Sequence, residues 1–376
     1  TVLSVTRVAD RVLDLARDDA GNLYVAAWTR GLLKLNPQAS SVRWSKTYDG
    51  RGAARVDAGP SGVNAVLTYT SSVDPDQANP GSGIIYVYQT DGTELSNFIG
   101  HRNTLDVAVH EASQTIVHVG WRQANAWDGT KTYPVQIAYI RGRGYDGTIK
   151  YTGYDWPTDR NDPNFLNRYT NNMADTRGYR CSIGKDGHLY VAFECAGGNH
   201  IFRYDPFDLS KAVTIVGGDS YHNFSNTKSE HKTFFARYNP ATGAYLLGQQ
   251  LTARLDSGAG NAVRPRAIEA GQDGTVYLCG TSAAHLPLTW DPFPQAEYRG
   301  GAFLLVMSPD FSRRLLCIRQ LKGTALAVAA GSGGYGGTAI AWGGQITDSS
   351  YFYRKNPIQN DASTFTEGMY MVLQLE

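Results

Sequence analysis

The sequence is poor in charge, in cysteine and in long apolar runs, and each shortage excludes something. Charged residues make up 18% of the 376-residue chain and the net charge is +1. An average globular protein carries roughly 25% charged residues. The balance removes the long-range field of a dedicated nucleic-acid or acidic-membrane binder, so no nucleic-acid partner is expected. The longest apolar stretch, Thr324 to Gly331, ends in glycines, well short of the ~18 residues that cross a bilayer, so no membrane insertion is expected. The four cysteines, Cys181, Cys195, Cys279 and Cys317, show no C-x-x-C spacing, which argues against a zinc ribbon or a thioredoxin-type motif. Each lies in an apolar strand-like run and reads as a small buried hydrophobe. Cys181 and Cys195 flank one predicted hairpin, and whether they form a disulfide stays open. There is no nucleophile elbow, H-E-x-x-H, P-loop or dinucleotide-binding glycine signature.

Present instead are 41 glycines, 23 tyrosines and an apolar fraction of 42%, a composition unlike a helical bundle, a coiled coil or a disordered chain. A tight turn followed by an alternating β-branched and aromatic run recurs along the chain. The clear copies are Asp19-Ala20-Gly21-Asn22-Leu23-Tyr24-Val25, Asp186-Gly187-His188-Leu189-Tyr190-Val191 and Asp273-Gly274-Thr275-Val276-Tyr277-Leu278. Weaker copies lie at Gly62 to Thr68, Gln114 to Gly120 and Gly337 to Gly343. The turn glycine supplies the positive φ that such hairpins need.

Each hairpin is followed by another strand: Leu32 to Leu35, Ile85 to Tyr88, Ile137 to Ile140, Phe234 to Tyr238, Phe303 to Met307 or Met369 to Leu373. In five of the six units a fourth strand follows directly. The sixth runs out of chain, while Thr1 to Val8 forms an orphan β-like stretch at the other end. The spacing therefore predicts one all-β domain over residues 1–376, a six-bladed β-propeller whose N-terminal strand completes the last blade. Blades are expected near 9–50, 53–100, 104–152, 178–252, 262–321 and 324–376 plus 1–8. A flat sandwich is the second architecture. Seven blades are the alternative count, because Ile201 to Pro206 and Ala212 to Val216 resemble another strand pair. The polar stretch from Asp219 to Lys232 favours an inserted hairpin there.

The fifth unit carries Asp273-Gly274-Thr275-Val276-Tyr277, Gly280-Thr281-Ser282, Leu286-Pro287, Gly300-Gly301-Ala302-Phe303 and Ser308-Pro309-Asp310. In these residues it resembles the bacterial β-propeller repeat called SBBP, and two other units match loosely. The resemblance implies an exported or surface-associated bacterial protein, but that family is usually seven-bladed and its motif carries no catalytic residues. A first residue of Thr1 rather than Met fits removal of a signal peptide or a tag. The location expected is extracellular, cell-surface or periplasmic.

Loop length differs between the two ends of the predicted blades. The Asp-Gly turns are short, whereas long insertions fall at Ser71 to Gly83, Arg122 to Pro134, 196–232, 282–300 and 347–367, with the interblade stretch Gly153 to Gly178 on the same side. Long loops gathered on one face of a rigid scaffold form a recognition surface, or else follow from drift in loop length. The candidate binding residues there are Trp121, Trp127, Trp156, Tyr221, His222 and Trp290, suited to a protein partner or a glycan. About half of the loop aromatics are expected to be small internal cores. Arg55, Arg180, Arg264 and Arg266 are placed near the loop-bearing end of the inner strands, where they clamp an anion or pair with Asp14 and Asp106.

No catalytic residue, metal site or cofactor is read from the sequence. Ca²⁺ is the cation that the acid-rich Asp74-Pro75-Asp76, Asp155 to Asp162 and Asn171 to Asp175 would take, although they lack EF-hand spacing. The functional expectation is a non-enzymatic binding or assembly module, part of a larger assembly. A polysaccharide hydrolase or lyase acting at the channel mouth is the alternative.

Overall fold

The computed structural model describes residues 11–74, 79–127, 131–158, 174–196, 201–216, 231–292, 294–295, 297, 300–320, 323–332, 338–346 and 367–375. The fold is a six-bladed β-propeller, and its blades divide between two compact units. The first unit holds blade 1 with β1 (Val12–Arg17), β2 (Leu23–Ala27), β3 (Gly31–Leu35) and β4 (Val42–Lys46). Blade 2 has β5 (Arg51–Ala58), β6 (Asn64–Thr70), β7 (Ile84–Tyr88) and β8 (Glu94–Ile99). Blade 3 has β9 (Thr104–His110), β10 (Thr115–Trp127), β11 (Thr132–Gly144) and β12 (Ile149–Tyr154).

The second unit holds blade 4 with β13 (Thr176–Ile183), β14 (Leu189–Ala196), β15 (His231–Tyr238) and β16 (Tyr245–Leu251). A small ribbon of β17 (Ala253–Arg254) and β18 (Gly260–Asn261) precedes blade 5, which has β19 (Val263–Ala270), β20 (Val276–Ser282), β21 (Gly301–Met307) and β22 (Arg314–Gln320). Blade 6 shows β23 (Gly323–Ser332), β24 (Thr338–Ile346) and β25 (Glu367–Leu375). Thr1 to Val8, the expected closing strand, lies outside the described residues.

Each blade is a meander whose successive strands pair antiparallel. Within a unit, the inner strands of consecutive blades pack side by side. The second strand of a blade is buried on both faces, which is why β2 and β14 read as near-continuous apolar runs. Hydrophobic clusters fill the spaces between blades: Tyr24, Leu32, Val56 and Tyr88 join blades 1 and 2. Tyr190, Phe235, Leu278 and Phe303 join blades 4 and 5.

The recurring turns do two jobs. Gly187 and Gly274 sit at φ 80° and 83°, which a side chain strains to adopt. The turn aspartate also anchors the tyrosine of the following strand. Tyr190 donates to Asp186 at 2.7 Å, and Tyr24 donates to Asp18 at 3.2 Å. A cation from the third strand, Arg237 or Lys34, stands 3.9 and 3.7 Å from the same two carboxylates.

One expectation changes at the insertions, and the preferred count of six blades holds. Arg122 to Pro134, read as a loop, is largely strand, because β10 runs on to Trp127 and β11 already begins at Thr132. Residues 201–216 add no blade: Ile201–Arg203 is a 3₁₀ turn, Ile201 is buried, and Phe202 is buried against the Phe193 and Phe234 rings. The end of that segment then pairs with the outer strand β16, through Val216 donating to the Gly248 carbonyl. Blade 5 repeats the device. Thr289 donates to the Cys317 carbonyl on β22 at 2.9 Å, and Arg319 forks onto Asp291 at 2.8 and 2.7 Å. In both blades an insertion between the second and third strands thus covers the outer edge, where unpaired backbone would otherwise recruit other chains.

Candidate binding site

The inner strands place the predicted arginines. Every one of the six carries a β-bulge at the same register, leaving Leu13, Ala54, Leu105, Tyr179, Arg266 and Leu326 unpaired in the ladder. Asp14, Arg55, Asp106 and Arg180 are the residues directly after the bulge and so occupy equivalent positions, as the repeat predicts. Both arginines serve the backbone. Arg55 donates to the carbonyls of Leu13 and Ala54 at 3.2 and 3.3 Å. Arg180 donates to those of Arg266 and Tyr179, both at 2.7 Å. Each guanidinium therefore ties its own bulge to that of an adjacent blade. Arg266 is itself a bulge residue, and its buried Nε has no hydrogen-bond partner.

Asp14 and Asp57 work in the opposite sense, accepting the amides of Val56 and Val109 at 3.0 and 2.7 Å. Burial, reinforced by the charges of Asp14 and Asp106, pushes the Asp57 carboxyl up to about 7 against the pull of the Val109 and Ala58 amides.

The predicted aromatics separate. Trp121 and Trp156 are 2% and 1% exposed, so both are core residues and present no ring to a ligand. Trp290 is 44% exposed. Tyr221 and His222 lie outside the described residues, as does the side chain of Trp127. The physical reason for Trp121 is register: it lies within β10 at the position that the buried Tyr69 occupies in β6. Trp156 follows two non-glycine residues in the left-handed region, Tyr154 and Asp155, at φ 62° and 29°. Arg122 holds this turn by donating to the Trp156 carbonyl and to Asp155.

Asp155, one of the carboxylates weighed for Ca²⁺, is surrounded by basic side chains instead. Arg122 contacts one oxygen, and His101 and Arg141 lie 3.4 Å from the other. Burial pushes the carboxyl up, but the hydrogen bonds and charges of His101 and Arg122 hold it below its usual value. Both oxygens are engaged, and the group acts as a tie for the chain leaving β12. Among the described residues no group of three or more His, Cys, Asp or Glu has metal-site geometry. The four cysteines are buried, and among the described residues no disulfide joins Cys181 to Cys195.

A different arrangement occurs in the second unit, on residues that the motif search passed over. Glu194 is the single charge in the β14 run Leu-Tyr-Val-Ala-Phe-Glu-Cys-Ala and its side chain is 1% exposed. Arg177, its partner across the β13–β14 ladder, lies 3.3 Å from Oε1, which His231 also contacts. Oε2 has no hydrogen bond; its nearest cation is the Nε of Arg264 at 3.9 Å, and that arginine side chain is 49% exposed. A lone acid inside an apolar strand was the available sequence signal, since burying one without partners costs several kcal/mol.

The repeat shows why the site is unbalanced. Arg177 and Arg264 occupy the same register in blades 4 and 5, and the position opposite them is Glu194 in one and Thr281 in the other. Thr281 Oγ1 is buried without a hydrogen bond. Arg264 thus faces no acid across its own ladder and stands 3.9 Å from that of the neighbouring blade.

No family model and no curated protein matches the chain. Solved structures do align at low similarity. BamB from Moraxella catarrhalis aligns with 11% identity and a TM-score of 0.39, covering 89% of this chain and 82% of its own. The WD40 repeats of RRP9 align with 10% identity and a TM-score of 0.43, covering 97% and 94%. A europium-containing methanol dehydrogenase aligns with 7% identity and a TM-score of 0.41, covering 87% and 72%. The strand order, rather than these alignments, identifies the fold.

Proposed function

We propose that the chain is a non-enzymatic binding or assembly module that takes a protein partner at the loop-bearing ends of blades 4 and 5. The observation that carries this is the Glu194 cluster, a buried carboxylate beside a half-exposed guanidinium whose cross-strand neighbour in its own blade is Thr281. A polysaccharide hydrolase needs two carboxylates flanking the scissile bond, and this cluster joins one carboxylate to three basic groups. Glycan stacking calls for exposed rings. Of the predicted tryptophans whose side chains are described, Trp290 alone offers one, which favours a protein partner over a sugar. The exported location and the kinship with SBBP repeats belong to the same proposal, supported by the Asp-Gly turns and the low charge.

The experiment is site-specific photocrosslinking in the native cells, with the photoreactive residue at Trp290 or, as control, at Leu95 on the outer strand of blade 2, which is 38% exposed. A discrete protein adduct from position 290 and none from 95 is expected. Equal adducts from both positions, or none from 290, would reject this surface.

A further inference from the structure

We infer that Arg264 is the receptor for a carboxylate side chain, Asp or Glu, presented by the protein partner, with Glu194 as the buried counter-ion that orients it. This rests on the protein-binding reading above and adds the chemistry of the contact.

The charge arrangement points to an anion. The Glu194 carboxylate already faces Arg177 and His231 through Oε1, and Arg264 brings a second guanidinium to the same acid. At 3.9 Å its Nε is beyond hydrogen-bond range of Oε2. The guanidinium has five N–H donors in a planar fork, and a half-exposed side chain leaves the Nη atoms available to a carboxylate arriving from solvent. Such a pair is bidentate and short.

Arg264 brings a single positive charge, so a monoanion closes the balance and a phosphate dianion exceeds it. Glu194 Oε2 is the second observation: a shielded acceptor without a hydrogen bond is unfavourable as it stands. Fixing Arg264 between two carboxylates draws its Nε towards Oε2 and satisfies that atom. The net charge of the whole chain is only +1, so recognition depends on this local geometry and not on a general attraction for acidic ligands.

The test follows the arginine Nε–Hε resonances of the full chain by NMR during titration with a tetraglutamate peptide, a galacturonate oligomer, inorganic phosphate or a tetralysine peptide. A saturable shift at Arg264 with tetraglutamate is expected, weakened about tenfold or more by Arg264→Gln and unchanged by Arg43→Gln on the exposed face of blade 1. Arg264→Lys keeps the charge without the fork and should fall between. No saturation, or equal binding by Arg264→Gln, overturns the site. Tighter binding of phosphate overturns the carboxylate, and tighter binding of galacturonate overturns the protein source. If the Trp290 adduct survives in Arg264→Gln while the titrations fail, the surface stands and this inference falls; loss of every adduct from wild type removes both.

Discussion

Arg180 donates its Nε–H to the carbonyl of Arg266, the bulged residue on the inner strand of the following blade, at 2.7 Å. A bulge leaves backbone groups outside the ladder, and a carbonyl so freed must find another donor. Arg55 repeats the solution in the first unit by reaching the carbonyl of Leu13. What reads from sequence as an anion clamp or an internal ion pair is thus a clasp between blades.

Removing that clasp should show in stability. Arg180→Ala is expected to cost about 1–3 kcal/mol, because a charged donor is lost and two carbonyls are left short. Arg180→Lys should recover only part, since one ammonium cannot reproduce the fork. Denaturant titration with an unchanged slope measures both. An Arg180→Ala variant as stable as the parent would contradict the structural role.

The second prediction concerns pH. With the Asp57 carboxyl at about 7 in the folded state and near 3.9 in an unfolded chain, the folded protein binds the proton more tightly. Stability is therefore highest when both states are protonated, falls as pH rises from about 4 to about 7, and levels off above the folded value. Glu269, pushed up to about 7 mainly by burial, adds a decline of the same sign. Asp57→Asn keeps an acceptor for the Val109 amide and should flatten the profile by about 1–2 kcal/mol across that window, a modest figure because Asp57 keeps some contact with solvent. Thermal melts at a series of pH values provide the check, and parallel profiles for parent and variant would refute it.

The third concerns the strap of blade 5. Arg319 is 1% exposed and forked onto Asp291. Asp291→Ala should destabilise by about 2–4 kcal/mol by removing two charge-assisted hydrogen bonds from a buried guanidinium, while the double variant Asp291→Leu with Arg319→Met should recover much of the loss. Faster hydrogen exchange at Cys317, whose amide donates to Thr289 Oγ1 at 2.7 Å, would show the strap released; unchanged exchange would show that it is held by something else.

The six hairpins were legible because Asp-Gly turns and period-two alternation are local properties, set within about ten residues. The site was not. Trp121 and Trp156 look like exposed loop aromatics until the register of β9 with β10 and the left-handed turn at Asp155 place them inside. Glu194 looks like a stray charge until β13, β15 and β19 bring Arg177, His231 and Arg264 to it from 17, 37 and 70 positions away.

By itself the sequence determined the repeating unit and its turns, since these follow from backbone preference and side-chain alternation. The tertiary structure alone decided which charges meet and which rings are hidden. Those depend on long-range strand register, where a shift of one residue turns every side chain to the opposite face.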